Sequence, residues 1–433
     1  MKRQRLALLA LILSGAFFFS NIFNISISTN KFSQSYPAVV CPPNTPGLAT
    51  AISLSSQKSL IRKTGTSSMQ PFPVGLTRYA ISAQSAVIEA AEVTPVVWQV
   101  RKGVWAGSVP CAAPSSSQWF VGATADISSK GSLRIVNSGL GRAMVDINVY
   151  TENGLMTPRT ISMKANTYIS IGLPSLAPGS QRIAIHLVPR SGRVNGFVVD
   201  ERGKGLQNLG GDLVNSTGDP TKKIQIPAIP HPEGKSSGTP HVLRLLVPGD
   251  IDARINAEIR TSDGTFSPIG INGKIIRHSK VVEIPLDFPM QSGTFALSIE
   301  SDQPILGSVF SKTQANGKND FVWSTAADNL AEYTVATTGL SPNLFFTGGS
   351  IKVSLGLTFT NGKKTTVLIT GEDIASYKTP DRVKSISFSR ISSGTSGAAL
   401  ISSKSGYGYI PLNQGSVLTK SSVPASNIRV LNP

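Results

Sequence analysis

Four histidines, two cysteines and a small set of carboxylates are the residues through which this chain could do chemistry. The histidines are His186, His231, His241 and His278. Two imidazoles four apart on one helix face would hold a metal, and an H-E-x-x-H order would add a general base. The sequence has neither, so no metal and no cofactor are expected. His186 alternates within IAIHLV and reads as a strand residue. His231 and His241 flank a Pro- and Gly-rich stretch, IPAIPHPEGKSSGTP (226–240), that reads as a linker. Paired acids could serve glycoside hydrolysis, but Glu300 and Asp302, in SIESDQP, read as a solvated turn between two strands. Asp250 and Asp252 offer two ligands where a calcium loop needs more. Gly234-Lys235-Ser236 has Ile229 where a phosphate loop needs glycine, so the N–H cradle is missing. Gly139-Leu140-Gly141 joins two strands, and Gly394-Thr395-Ser396-Gly397 lacks the G-x-S-x-G order. A Ser-His-Asp site assembled from distant loops stays open, because such sites are defined by geometry.

The cysteines point to a compartment. Residues 1–5 read MKRQR, and residues 6–27 carry no charge. A basic start followed by an apolar run is an export pattern. Two readings stand: an uncleaved anchor, long enough to span a bilayer, or a signal peptide, for which no small-residue cleavage site is evident. Both place the remainder outside the cytoplasm, as a single-pass ectodomain or a secreted protein. There, two lone cysteines pair, so Cys41 and Cys111 are expected to form a disulfide. Trp105 and Trp119 bracket Cys111 and are expected to pack against it; Trp98 and Trp323 read as core or interface residues.

The elements that must position these residues read as strands. Three segments alternate apolar and polar positions and close on Asn-Gly or Asp-Gly: VDINVYTENG (145–154), INAEIRTSDG (255–264) and VSLGLTFTNG (353–362). Alternation puts Val145, Ile147 and Val149 on one face, likewise Ile255, Ala257 and Ile259, and Val353, Leu355 and Leu357. A second motif of strand, polar turn and strand follows at 183–199, 295–310 and 398–412, with 78–93 as a fourth copy. A period near one hundred residues fits a sandwich module. The expected fold is all-β: three to four tandem antiparallel β-sandwich units, immunoglobulin-like, after an N-terminal transmembrane or signal helix. The expected bounds are 1–30 for that helix, 36–128 for a divergent unit holding the disulfide, then 129–228, 229–330 and 331–433. Repetition along the chain predicts beads in a row, and Pro158, Pro268 and Pro304 would blunt strand edges.

Composition narrows the partners. Of 433 residues 15% are charged, and the net charge is +17. The surplus is spread over the second and fourth units, while the third is slightly acidic. Outside a cell the matching anions are wall polymer, acidic glycan and lipid headgroups. Without a helix-turn-helix, an aromatic RNA-binding strand or zinc-finger spacing, nucleic acid is not expected.

Several short motifs occur together: Cys41-Pro42 after the apolar start, CAAPSSSQWFVGATAD (111–126) with a second cysteine before a Trp-aromatic pair, LRIVN (133–137) and VDINVYTENG. In this combination the chain resembles an uncharacterised family of exported actinobacterial envelope proteins, known only as a domain of unknown function. The resemblance implies tandem β-sandwich units at the cell envelope and no catalytic residues. The functional expectation is a non-enzymatic structural or adhesive envelope protein that touches anionic cell-wall polymer or an envelope protein. The alternatives are an accessory subunit of a membrane-bound wall-glycan enzyme, and an atypical hydrolase with a site built from loops.

Overall fold

A computed structural model describes residues 37–412, apart from 56–58, 67, 73–74, 76, 82, 90–91, 232–239 and 289–292, together with the strands Phe32–Ser35 and Ser421–Pro424. The segment 1–30 and the Gly234-Lys235-Ser236 turn lie outside the described residues. Among the described residues no helix is long and apolar enough to cross a membrane. The chain forms two units, 1–35 with 420–433, and 36–419. In the first, Phe32–Ser35 pairs antiparallel with Ser421–Pro424.

The second unit is all-β and made of antiparallel sheets. The first module stacks two four-stranded sheets with strands from Val39–Cys41 to Trp105–Pro110. The second stacks the sheet of Gln118–Val121, Ile183–Ser191 and Ala143–Thr151 on the sheet of Thr167–Gly172, Ser132–Asn137, Val194–Lys204 and Gln207–Val214. The third runs from Thr221–His231 to Lys318–Thr325. Strand pairing therefore assigns Gln118–Val121 to the second module and Thr221–His231 to the third, each about ten residues ahead of the bounds read from the sequence. The front of the expected linker is strand as well: Ile226 and Ile229 are fully buried, because its apolar side chains fill the third core. The fourth module departs from the two-layer expectation. It is a single six-stranded sheet, whose 17-residue strand Asn343–Phe359 pairs with Ser396–Ser403 at one end and Val383–Ser389 at the other. That strand lets the sheet curl around its own apolar face.

Alternation decides which side chains meet. All nine residues assigned to inner faces, from Val145 to Leu357, are buried. The turns close differently from the reading. Thr151 pairs with Gly154 and Thr261 with Gly264, so the two-residue loops are Glu152-Asn153 and Ser262-Asp263. Only the glycines take positive φ, at 128° and 131°. The threonine hydroxyls complete these turns: Thr151 Oγ1 accepts from the Asn153 amide at 3.1 Å and donates to Gly154 O at 3.0 Å. Thr261 makes the same pair of bonds, at 3.2 and 3.1 Å. The second motif also needs correcting. Gly293–Ala315 is one 23-residue strand that pairs in one sheet as far as Ile305 and in the other from Leu306. Glu300 and Asp302 therefore sit on a strand that changes layers, with Pro304 in the crossing; Pro158 and Pro268 lie in loops. The matching step in the fourth module is from Val383–Ser389 to Ser396–Ser403, one hairpin before the expected one.

Each module ends on a corresponding strand: Trp105–Pro110, Gln207–Val214, Lys318–Thr325 and Gly406–Pro411. The first packs on the second, the second on the third, the third on the fourth, and the fourth on the first. These inner strands approach too closely for side chains. A Cβ on Gly107 would lie 2.8 Å from the Leu213 amide nitrogen, and one on Gly211 2.8 Å from the Trp105 ring. The apolar cores cross the same boundaries: Phe197 and Leu213 join the first core, Trp323 the second, and Trp98 the fourth. Backbone bonds between Thr94 and the Thr334–Ala336 segment, 2.8 and 2.9 Å, tie the first module to the last. The four modules thus form a closed cycle. Beads in a row are excluded because the faces such beads would show to water are apolar and buried against neighbours.

Candidate functional site

The four inner strands run the same way around the cycle, so their C-terminal ends meet. Val109, Pro110, Asn215, Ala326 and Pro411, at or just beyond those ends, line a cleft of about 910 Å³. Asn215 knits the floor: its Nδ2 donates to Ser108 O at 3.1 Å and to Tyr409 O at 2.7 Å. Tyr409, fully buried, donates from its hydroxyl to Thr325 O at 2.8 Å, and burial holds its phenol well above the ordinary range. All four modules are joined at this point.

Three side-chain amides line the cleft with their orientation fixed. Asn195 Nδ2 donates to Ala112 O and Ala113 O, both at 3.1 Å, and Gln225 Nε2 donates to Gly394 O at 3.3 Å. With the NH₂ groups of Asn195, Asn215 and Gln225 committed to carbonyls, each amide oxygen must face the other way, and all three are buried without a donor. Arg260, also on the cleft, reaches Thr347 Oγ1 and Glu258 at 3.4 Å, and its Nε faces Asp373 at 4.0 Å. Buried amide oxygens in this condition cost about 1–3 kcal/mol each, a cost carried by the packing beneath the cleft, since these oxygens present no surface to it.

The structure also brings together a serine, a histidine and an aspartate. Ser117 Oγ lies 3.0 Å from Asp219 Oδ1 and 3.1 Å from His186 Nε2. Their order is unsuited to nucleophilic catalysis. The single hydroxyl proton goes to Asp219, so His186 must donate from Nε2 and has no lone pair there to receive a proton. In a working triad the carboxylate holds the far imidazole nitrogen instead. The His186 ring stacks on Trp119 at 3.6 Å, and burial pushes its pKa down to about 4, against a small opposing pull from Asp219. It is a neutral imidazole packed between modules. Beyond it, Trp119, Tyr150, Pro248 and Pro304 line a second pocket of about 540 Å³.

The other chemistry-bearing residues are absorbed by structure. Cys41 and Cys111 are bonded, with Cα atoms 4.4 Å apart, in the core that holds Trp105; Trp119 lies in a separate cluster between the second and third modules. His231 Nδ1 and His241 Nε2 meet at 2.8 Å, and His241 Nδ1 bonds Ser311 Oγ at 2.9 Å. Burial and the neighbouring imidazole push His241 down to about 3. Glu300 pairs with Lys223 at 2.7 Å, Asp302 accepts from the Arg254 amide, and Asp252 holds His278 at 2.7 Å. Among the described residues no group of three or more His, Cys, Asp or Glu could hold a metal. The inner strands carry buried acids that the sequence reading did not single out. Burial, with Asp320 and Asp200 nearby, raises Asp212 well above the carboxylate range, and burial raises Asp320 to about 7. Asn195, Asn215, Gln225 and Arg260 were missed too, because a buried amide on a strand has no periodic signature.

The model of a family of unknown function, DUF5719, matches residues 70–370. Comparison with curated proteins finds no match. Among solved structures, the tetra-tandem repeat in the extending region of a large adhesion protein is 10% identical, covering 91% of this chain and 100% of that one with a TM-score of 0.12. That likeness is too low to carry an argument about fold or function.

Proposed function

The chain belongs to DUF5719, a family of unknown function, and we propose that it works by contact, as a non-enzymatic structural or adhesive protein of the cell envelope. The basic start, the uncharged run over residues 6–27 and the disulfide support export. The observation that carries the reading is the cleft where the four inner strands end. It joins all four modules, presents the exposed polar residues Ser115, Thr221 and Lys223, and its Ser117–His186–Asp219 contact has the wrong order for proton transfer. The occupant this favours is a segment of anionic, hydroxyl-rich wall polymer: its hydroxyls meet Ser115 and Thr221, and its anionic group meets Lys223.

The test is equilibrium binding of the full chain to a teichoic-type polymer and to a neutral glycan. Preferential binding of the charged polymer, weakened about tenfold by Lys223→Gln, is expected. Turnover of wall glycan or peptide that Ser117→Ala abolishes would establish the hydrolase reading instead.

A further inference from the structure

At the end of the cycle opposite the cleft, the hairpin tips that open the four inner strands come together. The Gly103 amide donates to Ser405 Oγ at 3.3 Å, and a Cβ on Gly103 would lie 3.6 Å from Asn316 Nδ2. Arg101 and Glu201, 2.9 Å apart, join the first tip to the second. Each tip carries an exposed lysine: Lys102, Lys204, Lys318 and Lys404. Lys130, beside the second tip, donates to Gly205 O at 3.0 Å. None of these lysines forms an ion pair among the described residues. The carboxylates at this end are turned inward. Glu201 is held by Arg101 and the Trp105 indole, Asp126 accepts from Ser128, and Asp320 is 4% exposed. Two aliphatic side chains stand fully in water among the lysines, Leu206 at the second tip and Ile127 in the neighbouring loop.

We propose that this lysine-crowned end docks on a bilayer surface containing anionic phospholipid. Lysines alone would suit any polyanion. The exposed Leu206 and Ile127 select the bilayer, because an aliphatic side chain gains by entering the boundary between headgroups and acyl chains and gains nothing from a soluble polymer. A cation held near an anionic membrane surface raises partitioning about fivefold, so four lysines acting together supply a factor of several hundred, falling with added salt. This surface is separate from the cleft, and the two readings fail independently.

The test is sedimentation of the full chain with vesicles of phosphatidylcholine alone or mixed with phosphatidylglycerol. Residues 6–27 can enter either bilayer, so the reading is the difference between the two compositions. Wild type is expected to favour the anionic vesicles at least a hundredfold, and K102Q/K204Q/K318Q/K404Q to lose that preference. Leu206→Ser is expected to reduce binding to the anionic vesicles about tenfold while leaving binding to soluble polyphosphate unchanged. An environment-sensitive dye on Leu206→Cys should shift to the blue on anionic vesicles. Equal binding to both vesicles, a preference that survives the quadruple change, or lysine dependence without any effect of Leu206→Ser would overturn the proposal. The altered side chains are all exposed, and near-ultraviolet circular dichroism confirms that each variant is folded.

Discussion

Asp320 shows how burial at a single residue reaches the whole unit. Its Oδ1 accepts from the Gly211 amide at 3.1 Å, and its Oδ2 is buried without a partner. Folding raises its pKa from the ordinary carboxylate range to about 7, so the native state keeps a proton that the unfolded chain releases near pH 4. Stability from this group is present below pH 4 and is lost as pH rises to about 7, by at most about 1.4 kcal/mol per pH unit. His186 and His241, held neutral, act in the opposite sense and withdraw stability as pH falls below about 6.5. Chemical denaturation at pH 5 and 7.5 separates them: Asp320→Asn should reduce the loss on going to pH 7.5, leaving the part due to Asp212 and the histidine effect in place. Asn215 is the other residue on which much depends. Asn215→Ala strips the donor from Ser108 O and Tyr409 O and should cost about 3 kcal/mol, read from the denaturation midpoint.

At the scale of elements, the alternating strands were legible in the sequence because burial on one face writes itself as period two. Val145, Ile147 and Val149 are an example. The closure of their hairpins was misread, since the bonds that fix the turn come from Thr151 and Thr261 rather than from a left-handed asparagine. What the sequence did not show was pairing between modules. Gly107 and Gly211 look like ordinary turn or bulge glycines until the neighbouring strand is present. For the candidate site, Ser117 and His186 are 69 positions apart, and no local pattern joins them. Gly107→Ala should destabilise the unit by about 2 kcal/mol or more, because the new Cβ meets backbone that cannot yield. Gly249→Ala, where nothing stands within 4 Å, is the control. The disulfide closes a separation of 70 residues, worth about 4 kcal/mol in chain entropy. Cys41→Ser with Cys111→Ser should raise hydrogen exchange first in Val39–Cys41 and Ala86–Glu89, which pair beside it.

At the scale of the whole 36–419 unit, closure of the cycle predicts cooperative behaviour. Independent beads would melt in separate steps, whereas modules that share cores melt together. Calorimetry should show one transition with matching calorimetric and van't Hoff enthalpies. Ending the chain at residue 330 should expose Val96, Trp98 and Ala106, which pack in the fourth core, and give an aggregating product. The paired ends of the chain add a mechanical consequence. Phe32 lies opposite Pro424, and Ser35 opposite Ser421, so tension applied outward at the two termini opens that ribbon one rung at a time instead of shearing it. The ribbon is therefore a weak clasp under force, and it yields before any pull is transmitted into the sheets.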